Sequence, residues 1–289
     1  MKKLKRLKLI GGLEPSQILN FNNYNNIEYL YLDININSKN SDLFKNKIFN
    51  YFINYQKLKS LNLKKNISFI KFDKFYNFNF PIKLNSLNLI NIDGNSLINI
   101  LNNNNKLIIN IKELKIQNIL FNLNEFNNLI NLLINFKSLL KLSINKIIIA
   151  NKLYQNLECS HISIFEYITK IIKNIPDLIE LDVSNNNYEK SFFEKFDFNN
   201  IKINMPKKLL CLKIFNDNIP IKLSILKKLV EVFGYVLDLN NNYLTINDEN
   251  DENIKKNKIF KSNNLECNFN EVNNDNEEIN YIHFNKNFA

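Results

Sequence analysis

The sequence predicts an α/β fold in which short parallel strands alternate with helices along a repeating solenoid. A motif of three apolar residues, spaced as apolar, two residues, apolar, one residue, apolar, recurs along the 289-residue chain. Four consecutive copies begin at Leu58, Leu84, Ile111 and Leu139, so the intervals between them are 26, 27 and 28 residues. Several intervals have helix-like apolar periodicity. Self-similarity at such a period is typical of a repeat architecture.

Each copy of the motif has the pattern of a short strand with one buried face, because alternate residues of a strand point to opposite faces. Eight clear copies are present: Leu4-Leu7-Leu9, Ile27-Leu30-Leu32, Leu58-Leu61-Leu63, Leu84-Leu87-Leu89, Ile111-Leu114-Ile116, Leu139-Leu142-Ile144, Leu178-Leu181-Val183 and Leu209-Leu212-Ile214. A weaker copy has Gly234-Leu237-Leu239, and a last one has Ile279-Ile282-Phe284. The copies therefore predict the strands of the solenoid.

The amino-acid composition makes the spacing of the motif copies more informative than their number. The chain contains 61 Asn, 43 Ile and 40 Leu. Because Leu and Ile are so frequent, chance alone produces several copies of the motif, and the regular spacing is the stronger argument. The excess of Asn, Ile and Lys is typical of translation from an AT-rich genome, so many of the Asn residues reflect mutational bias.

The motif resembles the leucine-rich repeat, whose pattern Leu-x-x-Leu-x-Leu-x-x-Asn-x-Leu recurs about every 20–29 residues. Intervals of 26–28 residues with a helical return segment resemble the ribonuclease-inhibitor-like class. The resemblance implies a curved parallel sheet on the concave face, with helices and irregular segments on the convex face. It also implies Asn side chains that satisfy backbone groups where each strand ends. That position holds Asn35, Asn66, Asn186, Asn242 and Asn287, whereas Gly12, Ile92, Ile119 and Ile147 depart from the pattern.

The return segments carry apolar residues at helical spacing behind candidate capping residues. We predict helices over five segments: Ser41 to Gln56, Asn95 to Leu101, Asn124 to Phe136, Ser160 to Asn174 and Lys222 to Phe233.

Charge and polarity divide the chain into three predicted parts. Residues 1–246 form the leucine-rich repeat solenoid and hold 33 basic and 19 acidic residues. Residues 247–278 are an acidic, Asn-rich segment of low hydrophobicity, which is typical of a flexible insertion. Residues 279–289 are a possible final repeat strand and tail. The net charge of +10 therefore combines a basic body with an acidic C-terminal region.

Enzymatic function is not predicted. Four glycines form no Gly-rich phosphate loop, and the two histidines, His161 and His283, are more than a hundred residues apart. Cys159 and His161 supply two of the four ligands that a zinc site usually needs. We therefore expect no catalytic residues, no cofactor and no metal. No apolar run approaches the roughly 20 residues that span a bilayer.

We do not expect nucleic acid as a partner, because Arg6 is the only arginine available for bidentate recognition. The three widely spaced cysteines fit a reducing compartment rather than a disulfide framework. We expect a cytoplasmic protein, with a nuclear location as the alternative.

The resemblance implies a non-enzymatic scaffold that binds another protein through the concave face. Tyr29 and Tyr31 are the candidate anchors, since Tyr is enriched at interface hot spots. Nearby basic residues favour an acidic partner; the sequence leaves the oligomeric state open. The predicted binding residues are Arg6, Lys8, Tyr29, Tyr31, Lys59, Asn62, Lys64, Asn88 and Lys115. The alternative is a fragment or divergent member of a larger regulator, either an F-box-type ubiquitin-ligase substrate adaptor or a small-GTPase regulator.

Overall fold

The computed structural model describes a large part of the chain: residues 4–13, 26–34, 55–65, 80–81, 83–103, 105–150, 164–186, 206–214, 228–229, 231, 260–262, 265–274 and 277–285. The chain divides into two compact units, Met1–Ser160 and His161–Ala289. Each unit is considered by itself.

The first unit contains six strands and three helices in the described residues. The strands are β1 (Arg6–Leu13), β2 (Tyr29–Ile34), β3 (Ser60–Lys65), β4 (Ser86–Ile90), β5 (Glu113–Asn122) and β6 (Lys141–Ala150). The helices are α1 (Gly94–Asn102), α2 (Asn105–Asn110) and α3 (Leu123–Leu133). Each strand from β1 to β5 pairs in parallel with the next one along the chain.

In the described residues, the second unit contains helix α4 (Ile164–Asn174) and further helical residues at Lys228, Leu229 and Glu231. It also contains a parallel pair of short strands, β7 (Glu180–Asp182) and β8 (Cys211–Lys213). A separate antiparallel sheet comprises β9 (Phe260–Ser262), β10 (Leu265–Asn274) and β11 (Glu277–Asn285).

The strand prediction is confirmed for the eight clear copies of the motif. Each of the strands β1 to β8 begins two residues after the first apolar residue of its copy. The register also follows the motif, because Leu30, Leu61, Leu87, Leu114 and Leu142 are successive partners across β2 to β6. All described pairings among β1 to β8 are parallel. The architecture is α/β and compatible with a repeat solenoid.

The core of the first unit lies between the sheet and the helices. The first, second and third apolar residues of each copy form three rows of buried side chains from β2 to β6. At the helical side, the rings of Phe121 in β5 and Phe126 in α3 meet edge to face, with centroids 5.6 Å apart. Leu129 and Ile130 of α3 are buried beside them. Such alternation leaves the residues between the apolar positions on the opposite face of the sheet.

A left-handed backbone position lies inside or shortly after four of the strands. Asn91, Asn118, Lys146 and Asn185 have φ of 61°, 55°, 53° and 57°, and each lies seven residues after the start of its copy. Asn adopts this conformation more readily than most residues with a Cβ. The left-handed residue acts as one extra residue in the strand and shifts the alternation of buried and exposed side chains by one position. The following side chain then returns to the core.

This shift corrects one interpretation of the sequence. Ile92, Ile119 and Ile147 depart from the leucine-rich pattern at the Asn position, but they are core residues with exposed fractions of 7%, 0% and 3%. The Asn contact between repeats lies one residue earlier, where Asn118 Nδ2 donates to Asn91 Oδ1 at 2.6 Å.

One Asn at the expected position does satisfy the backbone as predicted. Asn186 is 4% exposed, and its Nδ2 donates to the carbonyl oxygen of Val183 at 2.7 Å. The other four Asn residues of the predicted ladder lie outside the described residues: Asn35, Asn66, Asn242 and Asn287.

Replacing Asn118 by Val is expected to destabilise the first unit by about 1–3 kcal/mol, because a β-branched side chain is strained at positive φ. The change also removes the bond to Asn91. Asn118→Gly is the matched control, since glycine adopts this φ without strain and loses only the amide contact. Urea denaturation should give the lower midpoint for the Val variant. Equal midpoints would contradict the strain.

Three of the five helix predictions are confirmed in position but not at every boundary. Helix α1 is capped by Asp93, whose carboxylate accepts from Ser96 N at 2.9 Å, two residues before the predicted cap. Helix α3 is capped by Asn122, which forms a capping box with Glu125. Helix α4 agrees with the prediction over the residues described, whereas α2 was not predicted.

Other predictions fall largely outside the described residues. These are the helix over Ser41 to Gln56, most of the helix over Lys222 to Phe233 and the weak copy at Gly234. The last copy of the motif does lie in a strand, but β11 pairs antiparallel with β10 rather than parallel with a repeat strand. The division at residues 246 and 278 stays a prediction.

Candidate interaction surface

Two rows of side chains cross the polar face of the first unit, which is the face of β1 to β6 opposite the apolar rows. The register aligns the first row as Arg6, Tyr29, Ser60, Ser86, Glu113 and Lys141. It aligns the second row as Lys8, Tyr31, Asn62, Asn88, Lys115 and Ser143. Seven of the nine predicted binding residues therefore lie in two adjacent rows. Lys59 and Lys64 lie just outside them, beside Glu28 and Asp33.

A cation–aromatic cluster, formed by Arg6, Lys8, Tyr29 and Tyr31, occupies the β1–β2 end of this face. The guanidinium carbon of Arg6 lies 4.8 Å from the ring centroid of Tyr29. Lys8 Nζ lies 5.3 Å from the ring centroid of Tyr31. Both distances are within the range of an attractive cation–π contact. Tyr29 is 40% exposed, so the cluster presents aromatic surface as well as positive charge to solvent.

An ion-pair triad, formed by Lys5, Glu28 and Lys59, borders the cluster. Glu28 accepts a hydrogen bond from Lys59 Nζ at 2.7 Å, and Lys5 Nζ lies 3.5 Å from its other oxygen. The hydrogen bond from Lys59 and the charge of Lys5 hold the pKa of Glu28 below its ordinary value, against the opposing effect of burial. The hydrogen bond to Glu28 in turn raises the pKa of Lys59. The triad thus links by charge the residues that directly precede β1, β2 and β3.

Replacing Glu28 by Gln is expected to lower the stability of the first unit in a pH-dependent way. A lowered carboxylate pKa contributes stability above its ordinary value of 4.5, and this is lost as the pH falls through the folded-state pKa. A raised lysine pKa contributes stability below 10.5, and this is lost at higher pH. Urea midpoints of the two proteins should differ most between these limits and should converge as the pH falls from 4.5 through the folded-state pKa of Glu28.

Glu113→Gln provides the control for the triad. Glu113 faces Lys141 at 3.8 Å, and both side chains are about half exposed. Exposed pairs of this kind contribute little. A pH-independent effect of Glu28→Gln, or an equal effect of both substitutions, would contradict the role of the triad.

Asp33 of β2 is a buried acidic residue. Its strand position assigns it to the exposed face, but it is only 3% exposed. One carboxylate oxygen lies 3.4 Å from Lys64 Nζ, and the other has no hydrogen-bond partner in the structure. The ammonium group of Lys64 is thereby directed toward Asp33, although its side chain stays partly exposed.

The middle of the polar face carries short, uncharged side chains. Ser60 and Asn62 of β3 stand beside Ser86 and Asn88 of β4 in the register. All four are partly buried. Because these side chains are shorter than the Tyr side chains of β2 and than Glu113 and Lys115 of β5, the surface is shallowest between those two strands. The arrangement provides charge, aromatic surface and hydrogen-bonding groups suited to recognition.

Candidate chemistry beyond recognition is sparse among the residues that the structure describes. They contain no group of three or more His, Cys, Asp or Glu side chains placed to hold a metal ion. Within the same residues, no helix is both long and apolar enough to cross a membrane.

Comparison with known proteins leaves the family open. No protein-family model matches the chain, and no curated protein matches it either. The sheet register and the side-chain contacts therefore carry the functional argument alone.

The sequence predicted the four residues of the cation–aromatic cluster but not their pairing. Arg6 and Tyr29 both lie two residues after the start of their copies, and Lys8 and Tyr31 both lie four residues after it. Equivalent positions of neighbouring copies become register partners in a parallel sheet. This signal was present in the sequence and assigns both pairs.

Proposed function

We propose that this chain is a leucine-rich repeat recognition module that binds another protein through the polar face of its first unit. The eightfold strand motif, its register and the buried apolar rows support the repeat assignment. The module acts without catalysis, through surface complementarity. The alternative of a larger regulator stays a prediction, since no described feature favours it.

The cation–aromatic cluster is the observation that carries the proposal. Tyr and Arg supply a disproportionate share of binding energy at protein interfaces. Here two Tyr rings and two cations meet in a small area at one end of a polar face. Basic side chains at this end are Lys5, Arg6, Lys8, Lys59 and Lys64, against the carboxylates Glu28 and Asp33. The excess of positive charge favours an acidic partner surface and accelerates its approach.

Replacing Tyr31 by Ala is expected to weaken partner binding while leaving the fold intact, because the ring lies on the polar face, outside the apolar rows. Loss of an interface Tyr costs about 1–2 kcal/mol or more, which is a five- to thirtyfold loss of affinity. The partner is first captured with a photo-crosslinking amino acid at Asn62, and affinity is then measured with the purified partner.

The matched control places the crosslinker at Asn128, an exposed position of α3 on the helical side. The proposal expects one protein to be captured from Asn62 and not from Asn128. Capture of the same protein from Asn128 alone, or unchanged affinity of Tyr31→Ala, would overturn it. Tyr31→Ala and the two crosslinker variants should all have the wild-type unfolding midpoint by circular dichroism.

A further inference from the structure

We infer that the cation–aromatic cluster is a two-pronged carboxylate clamp, which recognises alternate acidic residues in an extended segment of the protein partner. The inference rests on the proposed function and names the chemistry that the face selects. It depends on three features: the spacing of the two cations, their support by aromatic rings, and the pairing of the neighbouring lysines.

The spacing of the cations follows from the strand. Arg6 and Lys8 are two residues apart on β1, and both point to the polar face over the rings of Tyr29 and Tyr31. Two residues of a strand span about 6.6 Å. An extended peptide repeats its side chains on one face at the same distance. Acidic residues at positions i and i+2 of such a peptide therefore match the two cations, whereas adjacent acidic residues point to opposite faces.

The Tyr rings hold the cations in place before a ligand arrives. A side chain that is already ordered loses less conformational entropy on binding. The cation–π contact uses the ring face and leaves the hydrogen-bond donors of the guanidinium and ammonium groups to a carboxylate. Each ring therefore acts as a platform, and its hydroxyl group is not required.

The neighbouring lysines are already engaged with carboxylates of this chain. Lys5 and Lys59 lie beside Glu28, and Lys64 lies beside Asp33. For Arg6 and Lys8 the described contacts are with aromatic rings rather than acids. Among the cations at this end of the face, these two are therefore the ones suited to external carboxylates.

An apolar residue extends the clamp along the same strand. Ile10 is 63% exposed and lies two residues after Lys8 in β1, where the regular pairing with β2 ends. A large exposed apolar side chain beside two cations is a contact point for an apolar residue of the ligand. The predicted ligand thus has two alternate acidic residues flanked at the next alternate position by an apolar residue.

The test uses two synthetic peptides with the same composition and the full-length protein. The first, Leu-Ser-Glu-Ser-Glu-Ser-Leu, has alternate acidic residues with Leu on both sides, so either chain direction fits. The second, Leu-Ser-Glu-Glu-Ser-Ser-Leu, has adjacent acidic residues. Fluorescence anisotropy is expected to give about tenfold tighter binding of the first peptide, equivalent to one additional carboxylate–cation contact. Equal affinity for both peptides, or no binding of either, would overturn the clamp.

Variants assign the clamp to its residues. Arg6→Gln and Lys8→Gln should each reduce the affinity of the alternate peptide to that of the adjacent one. Lys83→Gln removes the same charge at an exposed site outside the two rows and should have no effect. An equal loss with Lys83→Gln would indicate attraction by net charge and would overturn the inference. Tyr29→Phe should bind as wild type and Tyr29→Ala more weakly, since only the ring is needed.

Failure of the clamp and failure of the proposed function have different outcomes. If the partner is captured from Asn62 but neither peptide binds, the polar face is an interface and the clamp is wrong. If the alternate peptide binds selectively but no protein is captured, the clamp stands and the protein-binding proposal loses its support.

Discussion

Replacing Leu87 by Asp is expected to abolish the cooperative unfolding transition of the first unit at neutral pH. Leu87 is 1% exposed in β4 and lies between Leu61 and Leu114 in the sheet register, which are 0% and 2% exposed. A carboxylate there has no cationic partner within the apolar row. Its burial costs several kcal/mol or more, which is comparable with the roughly 5–15 kcal/mol that stabilises a typical domain. Circular dichroism during urea titration measures the loss.

Leu123→Asp is the matched control for Leu87→Asp. Leu123 is 45% exposed and is the first residue of α3, directly after the Asn122 cap. A carboxylate in the first turn interacts favourably with the helix dipole, so this variant should be as stable as wild type or slightly more stable. If Leu87→Asp unfolds at the wild-type midpoint instead, the register of the apolar rows is wrong.

The positions of the strands could be predicted because the determinant is local. A residue at a motif position faces the core whenever its segment is a strand, and the same offset recurs in every copy. The starts of β1 to β8 all lie two residues into their copies. Copies such as the one beginning at Leu58 therefore define both the strand and the register of its neighbours.

The point at which the strand alternation shifts could not be predicted by the same rule. Simple alternation assigns Ile119 to the polar side of a continuing strand, but the left-handed backbone at Asn118 shifts the alternation and returns Ile119 to the core. Asn is frequent throughout the chain, so its presence alone does not indicate this conformation. The start of α1 also differs from the prediction, because several residues near a helix start can serve as a cap. Asp93 caps α1, although Asn95 also has a suitable side chain.

The candidate interaction surface was predicted as a set of residues but not as a set of contacts. Strand alternation assigned Tyr29 and Tyr31 to the exposed face. Their cation–π contacts depend on register, which joins residues 23 positions apart in the chain. The burial of Asp33 depends on tertiary packing and has no local signal. Sequence patterns thus define the faces and the register partners, whereas tertiary packing determines which side chains are buried and which of them are in contact.

Replacing Gly94 by Ala is expected to destabilise the first unit by about 1–3 kcal/mol through overpacking. Gly94 is the first residue of α1 and is buried. A Cβ there would lie 2.4 Å from Phe121 Cδ1 and 3.0 Å from the carbonyl oxygen of Leu120. In a helix without such a contact, replacing glycine by alanine increases stability. A loss of stability in Gly94→Ala would therefore indicate the close approach of α1 to β5. Urea denaturation gives the change in midpoint, and Asn95→Ala at the exposed next position is the control.

A second substitution distinguishes overpacking from any general sensitivity of the helix start. Phe121 cannot easily move aside, because it is fully buried and packs against Phe126. Phe121→Leu removes the ring that the new Cβ would meet, at the cost of a smaller core side chain. If contact with the ring causes the loss, Gly94→Ala should cost less in the Phe121→Leu background than in the wild type. Additive effects in this double-mutant cycle would show that the two residues do not interact, and the close approach of α1 to β5 would then not be the reason that position 94 requires glycine.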